Sequence, residues 1–440
     1  ENLGGGCEDP VDPAGEGISD SFLEYNVGNA YPYEWEQLDG AAVAARLTAL
    51  GLDATSLPRY DETATYLVSD FTHWLEYTGK YQSTNFRLGR PAPGTGEELV
   101  LRDMPMLIMK HVPKPSRAQG SAAFQIVGIA MRVYDDASTV LYDPLIPCAS
   151  TWALAKMQFH AVYHSFMSAI HFYETHYWPH TGMAIGMQRH MNKAHPISKL
   201  LYKNAWRNVG LAWNGITQVF NLGGAFHELL AISGEDVTQH IYPRMATMAK
   251  HHLALSQESF ASISDDVKAD LKVYTYSQRY EAAFGDYARA FVDATYPDDA
   301  AVLDDGELQA MADELTSEDF ANYNSFGFLP RSTFSSKQSL VRVITWVLTM
   351  HGFKHHLMNH LMMRDMTWCP PHRLGSVHKR FVGLNGSATG VVPLFEGLPP
   401  PQRSEQCLPL DQLSRMNTYT CLQEAAAAAA AAANSTFGPS

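Results

Sequence analysis

"HGFKHHLMNH", residues 351–360, sets four histidines and an asparagine within ten positions. On an α-helix, residues three and four apart share a face. His351, His355 and Asn359 therefore form one stripe, and His356 and His360 form a second beside it. A stripe of neutral imidazole nitrogens with an amide oxygen makes half of a metal site. It also makes a polar-aromatic helix face, so the rest of the chain has to decide.

A second stretch carries the same signal. "TWALAKMQFHAVYHSFMSAIHFYETHYW", starting at Thr151, runs without Pro or Gly and is too apolar for a surface helix, so it is read as buried. It holds His160, His164, His171 and His176. Buried imidazoles need partners, and two histidine-bearing apolar helices are expected to face each other across a metal. His171 and His176, five apart, share a face only if the helix carries a π-bulge there. His164 and His171, seven apart, lie about 10 Å from each other along a regular helix and cannot ligate one ion without distortion.

Composition bounds the rest. The chain has 440 residues, 46% hydrophobic and 18% charged, enough for a large core. A net charge of −14 argues against nucleic acid and anionic membrane surfaces as partners. No apolar run is long enough to span a bilayer, so no transmembrane segment is expected. The chain opens at Glu1 without a signal-peptide pattern, as a processed chain or a fragment would. The five cysteines are far apart, without CxxC, and form no zinc motif. Two sequons, at Asn385 and Asn434, are glycosylation sites if the chain is secreted; the compartment stays open, tilted toward secreted or organellar.

Residues 1–35 read as an extended arm, 36–424 as the main domain and 425–440 as an Ala-rich low-complexity tail. "GSAAFQIVGIAMRVY", from Gly120, reads as a short strand pair. Further helices are expected over 201–222, ending at Gly223-Gly224, a C-cap signal, and over 236–262, 275–296, 306–316 and 336–363. The class is mainly α with a small β element.

Taken together these stretches resemble a lipoxygenase. "TWALAK" (151–156), "HFYETH" (171–176) and "RHMNKAHPISKLL" (189–201) follow the family's order and spacing. Asp305, Glu307, Leu308 and Gln309 match its D-x-ELQ pattern. His355 and Asn359 fall on its H-x-x-x-N pair. The resemblance covers roughly 40–375 and implies a helical lipoxygenase-like catalytic domain, without the β-barrel domain that precedes it in many members. It further implies a non-haem iron, or manganese, held by histidines of both helices, an asparagine and a terminal isoleucine carboxylate. The implied partners are a polyunsaturated fatty acid and O2, joined into a hydroperoxide. By resemblance His355, Asn359 and His171 are metal ligands, with His176 or His164 as a further one. Gly223 and Gly224 lie where the family guides oxygen, and Arg189 is a candidate partner for a substrate carboxylate.

The sequence departs from the family in two places. The position expected for the first histidine of the pair falls near Phe166, which cannot bind metal. Ser440 stands where the family ends in isoleucine, which predicts looser metal binding. Two functions follow: a lipoxygenase-type dioxygenase, or an inactive relative serving in a protein assembly. His195, Asp305, Glu307 and Gln309 are expected to hold the fold, Asp305 as a helix cap.

Overall fold

The computed structural model describes residues 35–74, 104–116, 122–132, 139–145, 149–172, 180–202, 260–317 and 331–355, with single positions at 20, 23, 24, 205, 209, 237 and 357. Its sheet is an antiparallel meander of β1 (Trp35–Asp39), β2 (Thr65–Asp70), β3 (Met104–His111), β4 (Phe124–Arg132) and β5 (Thr139–Tyr142), in sequential order. α1 (Gly40–Ala49) follows β1 directly; Asp39 caps it by accepting from the Ala42 N–H.

The sheet is buried on both faces, so its central strands read as continuous apolar runs. Tyr66, Val68, Met106 and Ile108 pack toward α1 with Val43 and Leu47. The alternate residues Leu67, Leu107 and Met109 join the main helical core. β4 is one strand, paired with β3 and β5, where the sequence suggested a pair. Gly128 makes no turn: a Cβ there would lie 2.7 Å from Leu57 Cδ2. The misleading pattern comes from a bulge, at which Ile108 faces Gly128 while Met109 faces Ile126. Val127 is the extra residue, and it reverses the alternation: Phe124 and Ile126, then Ile129 and Met131, face the helices. Side chains complete the bulge. Arg59 donates to the Ile126 carbonyl at 2.9 Å, and Glu24 accepts from the Ile126 N–H at 3.1 Å. Burial pushes the Glu24 carboxyl above its ordinary range, although that N–H opposes the shift.

Glu24 belongs to the segment read as an extended arm, yet residues 20, 23 and 24 are helical and Leu23 is buried in the main core. Asp20 accepts from Trp152 Nε1 at 2.8 Å and from Lys156 Nζ at 2.9 Å, so both ends of "WALAK" are tied to it.

α2 (Ala149–Phe172) lies on the helical face of β3 and β4. It is followed by α3 (His180–His190), α4 (Asp265–Lys268), α5 (Lys272–Thr295), α6 (Asp299–Leu303), α7 (Gly306–Leu315) and α8 (Lys337–Thr349). The helices expected over 275–296 and 306–316 are α5 and α7; those over 201–222 and 236–262 lie mostly outside the described residues. A Ser336–Ser339 capping box starts α8. Seven consecutive residues, Val343 to Thr349, are buried, so the second half of α8 is enclosed, while Gln338 and Arg342 in its first half are exposed. His111, at the end of β3, pairs with Asp270 at 2.9 Å and ties the sheet to the start of α5. No helix among the described residues is long and apolar enough to cross a membrane.

Gly40 tests the tightest contact of the sheet layer. A Cβ there would stand 2.3 Å from the Glu62 carbonyl oxygen, which is backbone and cannot swing away. Gly40→Ala is expected to cost about 1–3 kcal/mol by overpacking. Urea unfolding should show a lower midpoint at unchanged slope.

Candidate metal centre

α8 does not end at Thr349 by fraying. It continues as a π turn over Met350–Lys354, closed by the His355 N–H donating to the Met350 carbonyl. Such turns are rare and recur at functional sites. The π-bulge considered for 171–176 lies outside the described residues, since 173–179 are not among them. The π turn holds His351, and His355 follows it; both are buried. Lys354 between them is buried as well.

Sequence reasoning passed over the residue that meets this turn. His180, the first residue of α3, is fully buried. Its ring stacks on Trp346, with centroids 5.2 Å apart and planes at 10°. It meets His351 edge-on, with centroids 3.8 Å apart. The only signal for it was a histidine after "YWP" at the start of an apolar helix.

On α2, His160 and His164 are buried one turn apart with ring centroids 4.3 Å from each other. Phe166 is on the other side of the helix. It packs 5.0 Å from both Phe71 and Trp74, inside the aromatic cluster under the sheet. His171 is helical, and its side chain lies outside the described ones. His176, Asn359, Gly223, Gly224, Asn385 and Asn434 also lie outside the described residues. Among the described residues no group of three or more His, Cys, Asp and Glu side chains is arranged to hold a metal. Arg189 is exposed at the end of α3 and pairs with Glu314 of α7, whose other oxygen is 2.7 Å from His190 Nε2.

The two most specific motifs meet each other. His195 Nδ1 accepts from the Ile197 N–H, which leaves Nε2 to donate to Asp305 Oδ2 at 2.9 Å. Tyr296 donates to the same oxygen at 2.5 Å, and Oδ1 caps α7 by accepting from the Leu308 N–H. Glu307 accepts from the Asn192 N–H, and Gln309 donates to the Val302 and Phe334 carbonyls. Both imidazole nitrogens of His195 are therefore engaged within the fold, and Asp305 is a cap as the sequence suggested. Burial opposes ionisation of Asp305, but the donors from Tyr296, Leu308 and His195 outweigh it and hold the carboxyl below its usual range. Burial, and then that carboxylate, push the Tyr296 hydroxyl well above the ordinary phenol range, so it stays a donor.

No protein-family model matches the chain. Over 230 residues it is 26% identical to the rat polyunsaturated fatty acid lipoxygenase ALOX15B, covering 50% of this chain and 32% of the relative. It is 25% identical over 226 residues to the mouse arachidonate 12-lipoxygenase of 12R type, covering 50% and 31%. Solved structures match more of it. The coral 8R-lipoxygenase aligns at a TM-score of 0.63 with 14% identity, over 94% of this chain and 58% of that one. A lipoxygenase of Fusarium graminearum aligns at 0.62 with 14% identity, over 94% and 68%. A manganese lipoxygenase aligns at 0.61 with 19% identity, over 91% and 66%. The chain spans about a third of the length of the curated relatives it matches. It has a lipoxygenase-like fold, mainly helical with a small antiparallel sheet among the described residues.

Proposed function

We propose that the protein is a lipoxygenase-type dioxygenase, in which His355, Asn359 and His171 hold a non-haem iron or manganese. The observation that carries this reading is His355, a buried imidazole delivered by a π turn that continues the buried second half of α8. The donor types fit: neutral imidazoles and an amide oxygen suit either ion. His164 or His176 completes the α2 side. When bound, such an ion would supply the one-electron oxidation of the methylene between two cis double bonds of a polyunsaturated fatty acid that prepares it for O2. The chain's own part is to hold the donors and keep water out. Trp346, Leu348 and Met350 are buried on the same stretch of helix, and Trp346 stacks on His180, which keeps water from that part of the core. Gly223-Gly224 would guide oxygen under the same reading. Arg189, paired with Glu314, would have to leave that partner to meet a substrate carboxylate.

One observation favours a second reading, an inactive relative that serves in a protein assembly. Phe166 stands near the position expected for a ligand and is spent on the aromatic cluster with Phe71 and Trp74.

Elemental mass spectrometry of the purified protein, followed by conjugated-diene absorbance with polyunsaturated fatty acids in air, separates the two. Near-stoichiometric iron or manganese with O2-dependent diene formation supports the dioxygenase. Protein that stays metal-free after anaerobic loading with Fe(II) and Mn(II) overturns it.

A further inference from the structure

We propose that His180 is the positioning residue for His355: its ring, set between Trp346 and His351, holds the π turn in the winding that presents His355. The link to metal binding rests on the function proposed above; the link to the turn does not.

A π turn gives up the regular ladder of the helix, so something outside the helix has to hold it. A side chain lodged against a helix is one cause of a local departure from regular winding. The His180 ring packs on the side chains of Trp346 and His351, either side of the start of the turn. On a regular α-helix, side chains five apart diverge by about 140°. Trp346 and His351 are five apart, yet one imidazole touches both, and the π turn starts between them at Met350. The ring is fully buried, so it has no room to move off.

The helix behind it is equally fixed. Gly186 lets α3 lie close to α7: a Cβ there would come 2.9 Å from Met311 Cγ. The end of α3 is held by Arg189 and His190 on Glu314. α7 is in turn capped by Asp305, which His195 and Tyr296 grip. The "HPI" and "DGELQ" motifs thus brace the helix that carries His180, and His180 braces the turn that carries His355. This gives the two motifs a route to the metal centre although neither contributes a ligand.

The test uses the full chain and three variants: His180→Leu, His180→Phe and Trp346→Leu. The first readout needs no metal. Hydrogen exchange over residues 350–355 should quicken at least 10-fold in His180→Leu and Trp346→Leu, while α5 and the sheet keep their protection. His180→Phe, which keeps a flat ring, should retain most of it. The second readout is Co(II) titration followed by visible absorbance. Affinity should fall about 10–100-fold in His180→Leu, as it does when an outer partner of a metal ligand is lost, with a changed spectrum. Unchanged exchange over 350–355 in both leucine variants overturns the inference. If the wild type takes up no metal but the exchange pattern holds, the functional reading fails and the wedge stands.

Discussion

Changing His355 to alanine is expected to lower metal affinity by more than about 100-fold, since loss of an outer-shell partner alone costs 10–100-fold. Diene formation should fall with it. His355 is 5% exposed and is the residue on which the π turn closes. Its imidazole has no other donor of the same kind to replace it within the turn, because His351 is engaged edge-on with His180. Removing the ring also leaves a small cavity, so a modest loss of stability accompanies the loss of metal. Circular dichroism separates the two by showing whether the variant remains folded. Metal content measured beside His164→Ala and His176→Ala decides the remaining donor on the α2 side, since only the variant of a true ligand loses the ion. His355→Ala protein that keeps a full metal complement would remove His355 from the site and with it the proposed centre.

What was legible in the sequence divides along the range of the interactions. Asp305 and Ser336 were readable as helix starts because a cap is a contact of three residues. The helix after Asp305 ends at Leu315, one residue short of expectation, whereas the one after Ser336 turns into the π winding at Met350 and the end expected at 363 lies outside the described residues. β4 was misread as a strand pair because a bulge at Val127 reverses its alternation, and the bulge is defined by pairing with β3, not by any local signal. The two histidine helices were recognisable as buried, since apolar residues surround each stripe. Their faces were harder to assign. Phe166 looked like a position near the metal, yet it turns toward Phe71 and Trp74 on the sheet side. The π turn at Met350–Lys354 was not anticipated because π winding has no local signature; it coincides with a contact to His180, 171 positions before His351 in the chain. His195 and Asp305 were both taken as keepers of the fold. Their meeting across 110 residues needed the structure.

That meeting predicts the second large effect. Asp305→Ala is expected to destabilise the protein by about 2–4 kcal/mol, the sum of a lost helix cap and of hydrogen bonds to a part-buried carboxylate. Three donors lose their acceptor together: the Leu308 N–H at the start of α7, Tyr296 and His195. The cap alone contributes about 1 kcal/mol. Tyr296 and His195 are then left partly buried without an acceptor, which adds a cost of its own. The carboxylate's effect has a pH signature. Its folded-state pKa is depressed, so its contribution is present above the unfolded value near 4 and is lost as pH falls through the folded value. The stability gap between wild type and Asp305→Asn, which keeps the shape but not the charge, should therefore be widest near neutrality and close below about pH 4. Urea unfolding at a series of pH values measures it. A gap that stays constant from pH 7 to pH 3 would mean the charge adds nothing, and that shape and hydrogen bonding alone make the lock. The same variant bears on the metal centre, because α7 braces α3 and α3 carries His180. Loosened exchange over 350–355 in Asp305→Ala protein, measured where it is still folded, would show the lock acting across the helical core on the turn that holds His355.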